Sequence, residues 1–401
     1  MEVEQKSDPS PPRLHRRIVL FPCPLQGHIN PMLQLATLLY SKGFSITIVH
    51  THFNSPNPSN HPLFSFESIF DGNASSSDVS EDVIALISNI NYNSVTPLKE
   101  CLVRLLSKFE PIVCMVSDAI MHFTKGVAEN VGLPRIVLRT SSAISYVAFG
   151  YVTALQKQGL FPIQESRLED RLPDLPPLKF KDLPTINTRD STVLFGSIVG
   201  MDRTGFVEIA WGLANSGHPF LWVVRPDSVS DCYNLLQFLP DGFLEIVKGR
   251  SCIVQWAPQQ DVLAHPAVGG FWTHNGWNST LESICEGVPM LCSPSFGDQR
   301  VNARFVSEAK GGTIGRSAKF FLPPQEVYLL LNMVWRVGLH LENRLERGDI
   351  ESSINRLMEG EEREEMIARV KDLKEETELC LRKGGSSYES LQSLIDLIFS
   401  F

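Results

Sequence analysis

The chain lacks most of what would make it a metal protein, a disulfide scaffold or a nucleic-acid binder. Its eight cysteines (Cys23, Cys101, Cys114, Cys232, Cys252, Cys285, Cys292 and Cys380) are scattered. None forms a CxxC pair or a His/Cys cluster at zinc-ligand spacing, so reduced thiols and no bound metal are expected. His50 and His52 flank Thr51, but two histidines without a third ligand read as a strand end. The 36 Lys and Arg are outnumbered by 45 Asp and Glu, a formal net charge of −9, which argues against nucleic acid or an anionic membrane as partner. No apolar run approaches the roughly 20 residues of a membrane span. Residues 1–16 read as a disordered, proline-rich tail, and the apolar run 18–21 behind it is too short for a signal segment. The cytosol is the expected compartment and a monomer the expected state.

What is present is an ordinary globular composition, 43% hydrophobic and 20% charged over 401 residues. That length exceeds one comfortable core, so two domains are expected. Strand patterns at 17–22, 44–49, 64–70, 112–117 and 135–140 alternate with helical patterns at 31–40, 82–89, 98–109 and 123–130. A second alternation runs through strand 193–195, helix 205–215, strand 220–224, helix 242–248 and strand 252–256. Helices 351–358, 361–382 and 388–399 close the chain. βαβ order of this kind favours parallel sheets, whose ligands bind beyond the carboxyl ends of the strands. The proline-rich stretch 161–190 lacks periodicity and reads as the domain boundary. The expected division is 17–185, 186–384 and a closing helix 385–401 packing back toward the first domain.

The densest chemistry lies at 256–299, WAPQQDVLAHPAVGGFWTHNGWNSTLESICEGVPMLCSPSFGDQ. It reads as strand 268–273, a turn at His274-Asn275-Gly276, a helix opening at Trp277 with Leu281, Ile284 and Cys285 on one side, and strand 288–292. Gly276 permits close backbone approach. The first helical turn presents N–H groups and a positive dipole end beside His274, Asn278 and Ser279, which suits a diphosphate without lysine or arginine. Glu282, one turn on, could accept hydrogen bonds from both hydroxyls of a ribose. Asp298 and Gln299 carry acceptors and donors suited to a hexose, and Trp256 offers a flat face to a base. Singly, Trp256 and Trp272 read as core aromatics and Glu282 as a solvated helix charge. The combination at these spacings favours the donor site.

This block resembles the signature of the plant secondary-product UDP-glycosyltransferases. The resemblance implies the α/β GT-B fold, two Rossmann-like parallel-sheet domains facing across a cleft. It implies Trp256 on uracil, Glu282 on the ribose, and His274, Asn278 and Ser279 on the diphosphate. Asp298 and Gln299 would take the sugar hydroxyls, a final glutamine going with glucose. Ala257, Gln259, Gly276 and Trp277 complete the donor set within the block. Gly196 and Ser197 match a glycine-serine turn of the family's second domain that approaches the donor phosphates.

His28, in FPCPLQGHINP, follows the first strand and precedes the expected helix by two residues. Sugar transfer to a hydroxyl needs a base that titrates near neutrality, which imidazole supplies. The family carries a histidine in this GHxxP context, so His28 matches the catalytic base. Asp118 matches the aspartate that orients it; a loop-stabilising histidine and an N-cap near Met121 are the plainer readings. The reaction implied is inverting transfer of glucose from UDP-glucose, a co-substrate, to a hydroxyl or carboxyl of a small lipophilic plant metabolite. It needs neither cofactor nor metal. Two departures from the family stand out: a shortened stretch between Leu183 and Val193, and an apparent insertion at 309–334. A homologue that binds UDP-sugar or acceptor without turnover is the alternative they raise. A nicotinamide-dependent oxidoreductase would need a GxGxxG after the first strand, and there is none.

Overall fold

A computed structural model of the chain describes residues 16–72, 83–108, 110–184, 203–224, 239–308, 335–342 and 345–401. Contacts divide the chain into two units, 1–140 with 383–401, and 141–382.

In the first unit a five-stranded parallel sheet has the order β3-β2-β1-β4-β5. The strands are β1 (Arg17–Phe21), β2 (Ser45–Thr51), β3 (Ser65–Ile69), β4 (Ile112–Asp118) and β5 (Arg135–Leu138). β1 sits at the centre, paired with β2 and β4, and Ile18, Val19, Leu20 and Phe21 are wholly buried. A parallel strand covered on both faces reads as a continuous apolar run, and RIVLF does. α1 (Gln26–Ser41) buries Ile29, Met32, Leu33, Ala36 and Leu39, the spacing of one helical face. α2 (Val83–Asn93), α3 (Val95–Leu106) and α4 (Thr124–Asn130) complete the crossovers. The last helix of the chain, Ser386–Phe399, places Ile395 and Ile398 in the same core as β1 and α1.

α1 begins five residues before the position expected from Pro31. Proline is favoured in the first turn of a helix, which drew the predicted start to residue 31. Leu25 instead opens the helix, accepting the N–H groups of His28 and Ile29.

The second unit contains a helix that the sequence reading passed over, α5 (Ala143–Lys157). Its side chains are rich in β-branched and aromatic residues, which weakens helix propensity. Yet Ile144, Val147, Ala148, Val152 and Leu155 are buried along one face, and Ser142 accepts the N–H of Ser145 as an N-cap. The proline-rich stretch expected to be a domain boundary is likewise packed, as far as residue 184. Leu172, Leu175, Leu178, Phe180 and Leu183 share a core with Val301, Phe305, Val306 and Val370. Prolines interrupt periodicity without preventing burial of the leucines between them, and their contacts place residues 141–184 in the second unit.

Further along run α6 (Arg203–Asn215), β6 (Phe220–Val223), α7 (Phe243–Ile246), β7 (Ser251–Val254), α8 (Gln259–Leu263), β8 (Phe271–Thr273), α9 (Trp277–Glu286), β9 (Met290–Cys292) and α10 (Gln299–Glu308). β10 (Gly338–His340), α11 (Arg347–Met358) and α12 (Gly360–Leu381) follow, making Ser386–Phe399 α13. The strands form two parallel groups, β6-β7 and β10-β9-β8. The strand expected at 193–195 lies outside the described residues. So does the apparent insertion 309–334.

Candidate active site

His28 lies in the first turn of α1, not in the loop before it. Its Nδ1 is 2.8 Å from Asp118 Oδ2, and Asp118 ends β4, the strand beside β1. The parallel pairing brings the carboxyl end of β4 level with the loop that launches α1. Asp118 is 1% exposed, and its other oxygen accepts the backbone N–H of Ile120 at 2.9 Å. The plainer reading of Asp118 as an N-cap near Met121 is not realised: the helix starts at Thr124 with Phe123 as its N-cap and no side-chain cap, and the Ile120 contact is a local turn. A carboxylate only accepts, so the neutral-ring tautomer that satisfies this contact carries its proton on Nδ1 and its lone pair on Nε2. Thr140 Oγ1, 3.0 Å from the same Nδ1, is a neighbour that the sequence reading missed. Burial, with the Asp118 charge adding to it, pushes the nearby Cys23 thiol well above its ordinary pKa, which keeps it neutral.

The second unit gathers the donor candidates around the start of α9. Asn275 is buried in the left-handed region at φ 59°, a conformation asparagine tolerates better than most residues. It turns the chain from β8 into a helix whose N-cap, Gly276, has no side chain to satisfy the first-turn N–H groups. A Cβ on Gly276 would lie 2.5 Å from His274 Nε2, so glycine is what lets this imidazole lie against the helix start. Gln259 Nε2 donates to Ser279 Oγ at 3.1 Å and to Glu282 Oε2 at 2.6 Å. Gln260, also missed, donates to Glu282 Oε1 at 3.0 Å. Both carboxylate oxygens of Glu282 are thus held in place, with lone pairs left for further donors.

Trp256 is 71% exposed, in loop just beyond β7, and is no core residue; Trp272 packs partly buried against the core. The Trp277 ring stacks on Trp335 at 6.2 Å beside the core, so Trp277 offers the helix start its backbone rather than its ring. Ala257 lies between Trp256 and α8. The expected apolar side of α9 is corrected: Leu281 and Cys285 are exposed, and the buried residues are Ser279, Thr280, Ser283 and Ile284. Ser283 Oγ donates to the Val288 carbonyl at 2.7 Å, so small polar side chains let the helix approach the sheet closely. Asp298 and Gln299 open α10. Gln299 is 6% exposed, and its side-chain oxygen accepts the N–H groups of Ser295 and Phe296. Asp298 Oδ2 accepts from Asn302. Ser197 lies outside the described residues.

Residues 191–320 match the family described as UDP-glucoronosyl and UDP-glucosyl transferase. UDP-glycosyltransferase 76B1 of Arabidopsis thaliana is 38% identical over 465 residues, covering 96% of this chain and 98% of that protein. The chain belongs to the plant UDP-glycosyltransferase family. UDP-glycosyltransferase 76G1 of Stevia rebaudiana is 36% identical, covering 97% of this chain and 98% of that one. Among solved structures, UDP-glucose: anthocyanidin 3-O-glucosyltransferase in complex with UDP aligns with TM-score 0.76 at 20% identity, over 96% of this chain and 99% of that one. Medicago truncatula UGT71G1 complexed with UDP-glucose gives 0.74 at 20% identity, over 96% and 98%. The parallel-sheet α/β architecture is thus that of GT-B UDP-glycosyltransferases, and the chain is a glycosyltransferase. The 465-residue alignment is longer than the 401-residue chain, so the Arabidopsis UDP-glycosyltransferase has residues with no counterpart here. Among the described residues no group of three His, Cys, Asp or Glu is placed to hold a metal ion. No helix of the described residues is long and apolar enough to cross a membrane.

Proposed function

We propose that this glycosyltransferase moves glucose from UDP-glucose to a hydroxyl or carboxyl group of a small lipophilic plant metabolite, with inversion at the anomeric carbon. The observation that carries the reading is the 2.8 Å contact between His28 Nδ1 and Asp118 Oδ2, which leaves Nε2 as the proton acceptor. For a hydroxyl acceptor, Nε2 takes the proton while the oxygen bonds to C1 and the bond from C1 to the diphosphate oxygen breaks. Asp118 orients the ring and balances the imidazolium charge. A carboxylate acceptor attacks without giving up a proton.

UDP leaves with negative charge developing beside the N–H groups at the start of α9, which favour it with help from the helix dipole. In this reading His274, Asn278 and Ser279 surround the diphosphate, Glu282 accepts from the ribose and Trp256 stacks on the base. Gly276 and the backbone of Trp277 bring the N–H groups within reach. Ala257 and Gln259 line the base and ribose end, Ser197 approaches the phosphates, and Asp298 and Gln299 address the sugar. Proton and leaving group are both accounted for without metal or cofactor. The choice of glucose is supported by Gln299 and by the UDP-glucose named for two solved structures of the same fold; the acceptor class is supported by the anthocyanidin named for one of them.

The test incubates purified protein with UDP-glucose and a plant metabolite extract and reads products by mass spectrometry, beside His28→Ala. A hexose mass increment, strongly reduced in the variant for hydroxyl acceptors, is the expected result, with the β configuration read from the product by NMR. Binding of UDP-glucose with no UDP released across an acceptor panel would replace the reading with that of a non-catalytic binder.

A further inference from the structure

Asn302, one turn into α10, is 1% exposed, and its amide has partners on both sides. Oδ1 accepts from Ser142 Oγ at 2.8 Å and Ser145 Oγ at 3.2 Å. Nδ2 donates to the Asn275 carbonyl at 3.0 Å and to Asp298 Oδ2 at 3.2 Å. All five residues belong to the second unit. We infer that Asn302 is a positioning residue for the donor site, setting at once the Asn275–Gly276 peptide at the start of α9 and the carboxylate of Asp298.

The peptide is the more delicate of the two. Asn275 is in the left-handed region and Gly276 follows at φ −55°, ψ 143°. Rotating the peptide plane between them by half a turn would carry the glycine φ to positive values, which glycine accepts at little cost. The same rotation moves the Asn275 ψ by half a turn at positive φ, which strains that residue, so the backbone and the Asn302 hydrogen bond favour the same orientation. In that orientation the Gly276 N–H points as it does here; in the other a carbonyl dipole replaces it. Carbonyl and N–H of a trans peptide point in opposite directions, so a donor on the Asn275 carbonyl selects the first. Asn302 is that donor, and Thr273 Oγ1, accepting the Asn275 N–H at 3.1 Å, holds the other side of the residue.

The amide must itself be oriented to do this. Ser142 caps α5 by accepting the Ser145 N–H, which leaves its own hydroxyl proton for Asn302 Oδ1. With Oδ1 turned to the serines, Nδ2 faces Asn275 and Asp298. A hydrogen bond to Asp298 then fixes the carboxylate proposed to meet the sugar. The inference rests on the donor-site reading given above, and the experiment separates the two.

Asn302→Ala removes both donors. Asn302→Asp keeps an acceptor for the serines but puts a second carboxylate beside Asp298, and such a pair shares a proton as pH falls. UDP affinity is measured by calorimetry, and KM and kcat for UDP-glucose at fixed acceptor, from about pH 8 to about pH 5, near which coupled carboxylates titrate. Both variants should raise the UDP Kd and the UDP-glucose KM roughly tenfold, the scale of one lost hydrogen bond to a charged group, with the acceptor KM unchanged. In Asn302→Asp alone the UDP-glucose KM should fall back toward the wild-type value as pH is lowered. Folded variants with wild-type Kd and KM, or with identical pH profiles, would overturn the inference. A wild-type protein that binds no UDP-sugar defeats the donor-site reading itself. Should neither Asn302 variant fold, judged by circular dichroism, the Ser142→Ala, Ser145→Ala double variant decides: it frees the amide to turn, and an unchanged UDP Kd refutes the role.

Discussion

At His28 the ring is held by a buried carboxylate on one side and keeps one nitrogen for chemistry on the other. Replacing it with alanine should lower kcat for a hydroxyl acceptor about 10²- to 10⁴-fold, the usual worth of a general base, and leave the calorimetric UDP Kd unchanged. A mutant with undiminished kcat removes the base assignment. Trp256 poses the complementary case. An indole so exposed contributes little to the fold, where surface changes usually stay within about 0.5 kcal/mol. Stacking on a base is worth about 1–3 kcal/mol, so Trp256→Ala should weaken UDP binding by one to two orders of magnitude while the melting temperature holds. Equal UDP affinity in the two proteins would exclude the stacking role. Gly276→Ala should also weaken UDP binding, since the added methyl must displace the His274 ring; calorimetry with UDP alone reads it without needing an acceptor.

These residues were legible because their chemistry is unusual for their place: a histidine after the first strand, a glycine at a helix start, and a tryptophan at the head of a polar, glycine-rich block. Asn302, Thr140 and Gln260 were not. Each acts through a contact to a residue distant in sequence or in another element, and a single asparagine or threonine in a helix or loop carries no signal of its partner.

α10 shows how an element can be held by charge. Arg304 is wholly buried on it, donating to Asp182 at 2.9 and 3.1 Å and bonded to Glu308 and Glu342. Burial opposes its charge, but Asp182 and Glu342 more than compensate and its pKa is raised. Truncating one member of a buried pair leaves the other uncompensated, so Arg304→Ala should cost about 3–5 kcal/mol, measurable by urea unfolding. Glu342, although burial raises it, is drawn to about 2 by hydrogen bonds from Arg304 and Lys181. His340, at the end of β10, is lowered to about 4 by burial and then by the Arg304 charge. Both folded-state values lie below the unfolded ones, so the unfolded chain binds more protons as pH falls. The stability from neutral His340 is complete above its ordinary value of 6.5 and is lost as pH falls toward 4. That from Glu342 is complete above 4.5 and is lost toward 2. Unfolding free energy should therefore decline from about pH 6.5 downward, with the first part of the decline flattened in His340→Gln. An unaltered slope in that variant would show that this histidine does not set it.

At the scale of the whole chain, the length relation to the Arabidopsis relative matters most. Nearly all of each protein aligns, yet the relative carries residues absent here, and the sequence places the shortfall between Leu183 and Val193. The donor candidates from Trp256 to Gln299 lie outside that stretch. Restoring the relatives' residues there should raise kcat with the UDP Kd unchanged; an altered Kd would tie the shortened stretch to donor binding instead.

The sequence alone determined the local and the periodic. Apolar runs and helical faces specified the parallel sheet of the first unit and most helices, since burial on both faces of a strand or one face of a helix is written in spacing. The donor block was readable because its glycine, helix start and polar side chains are contiguous. Tertiary structure alone decided what depends on partners far apart in the chain: that prolines and leucines at 172–183 close over α10, that Leu281 faces out while Ser283 faces in, and that an asparagine amide reaches both a turn and a carboxylate. Burial and hydrogen bonding are properties of pairs, and a pair exists only once packing has chosen which distant segments meet.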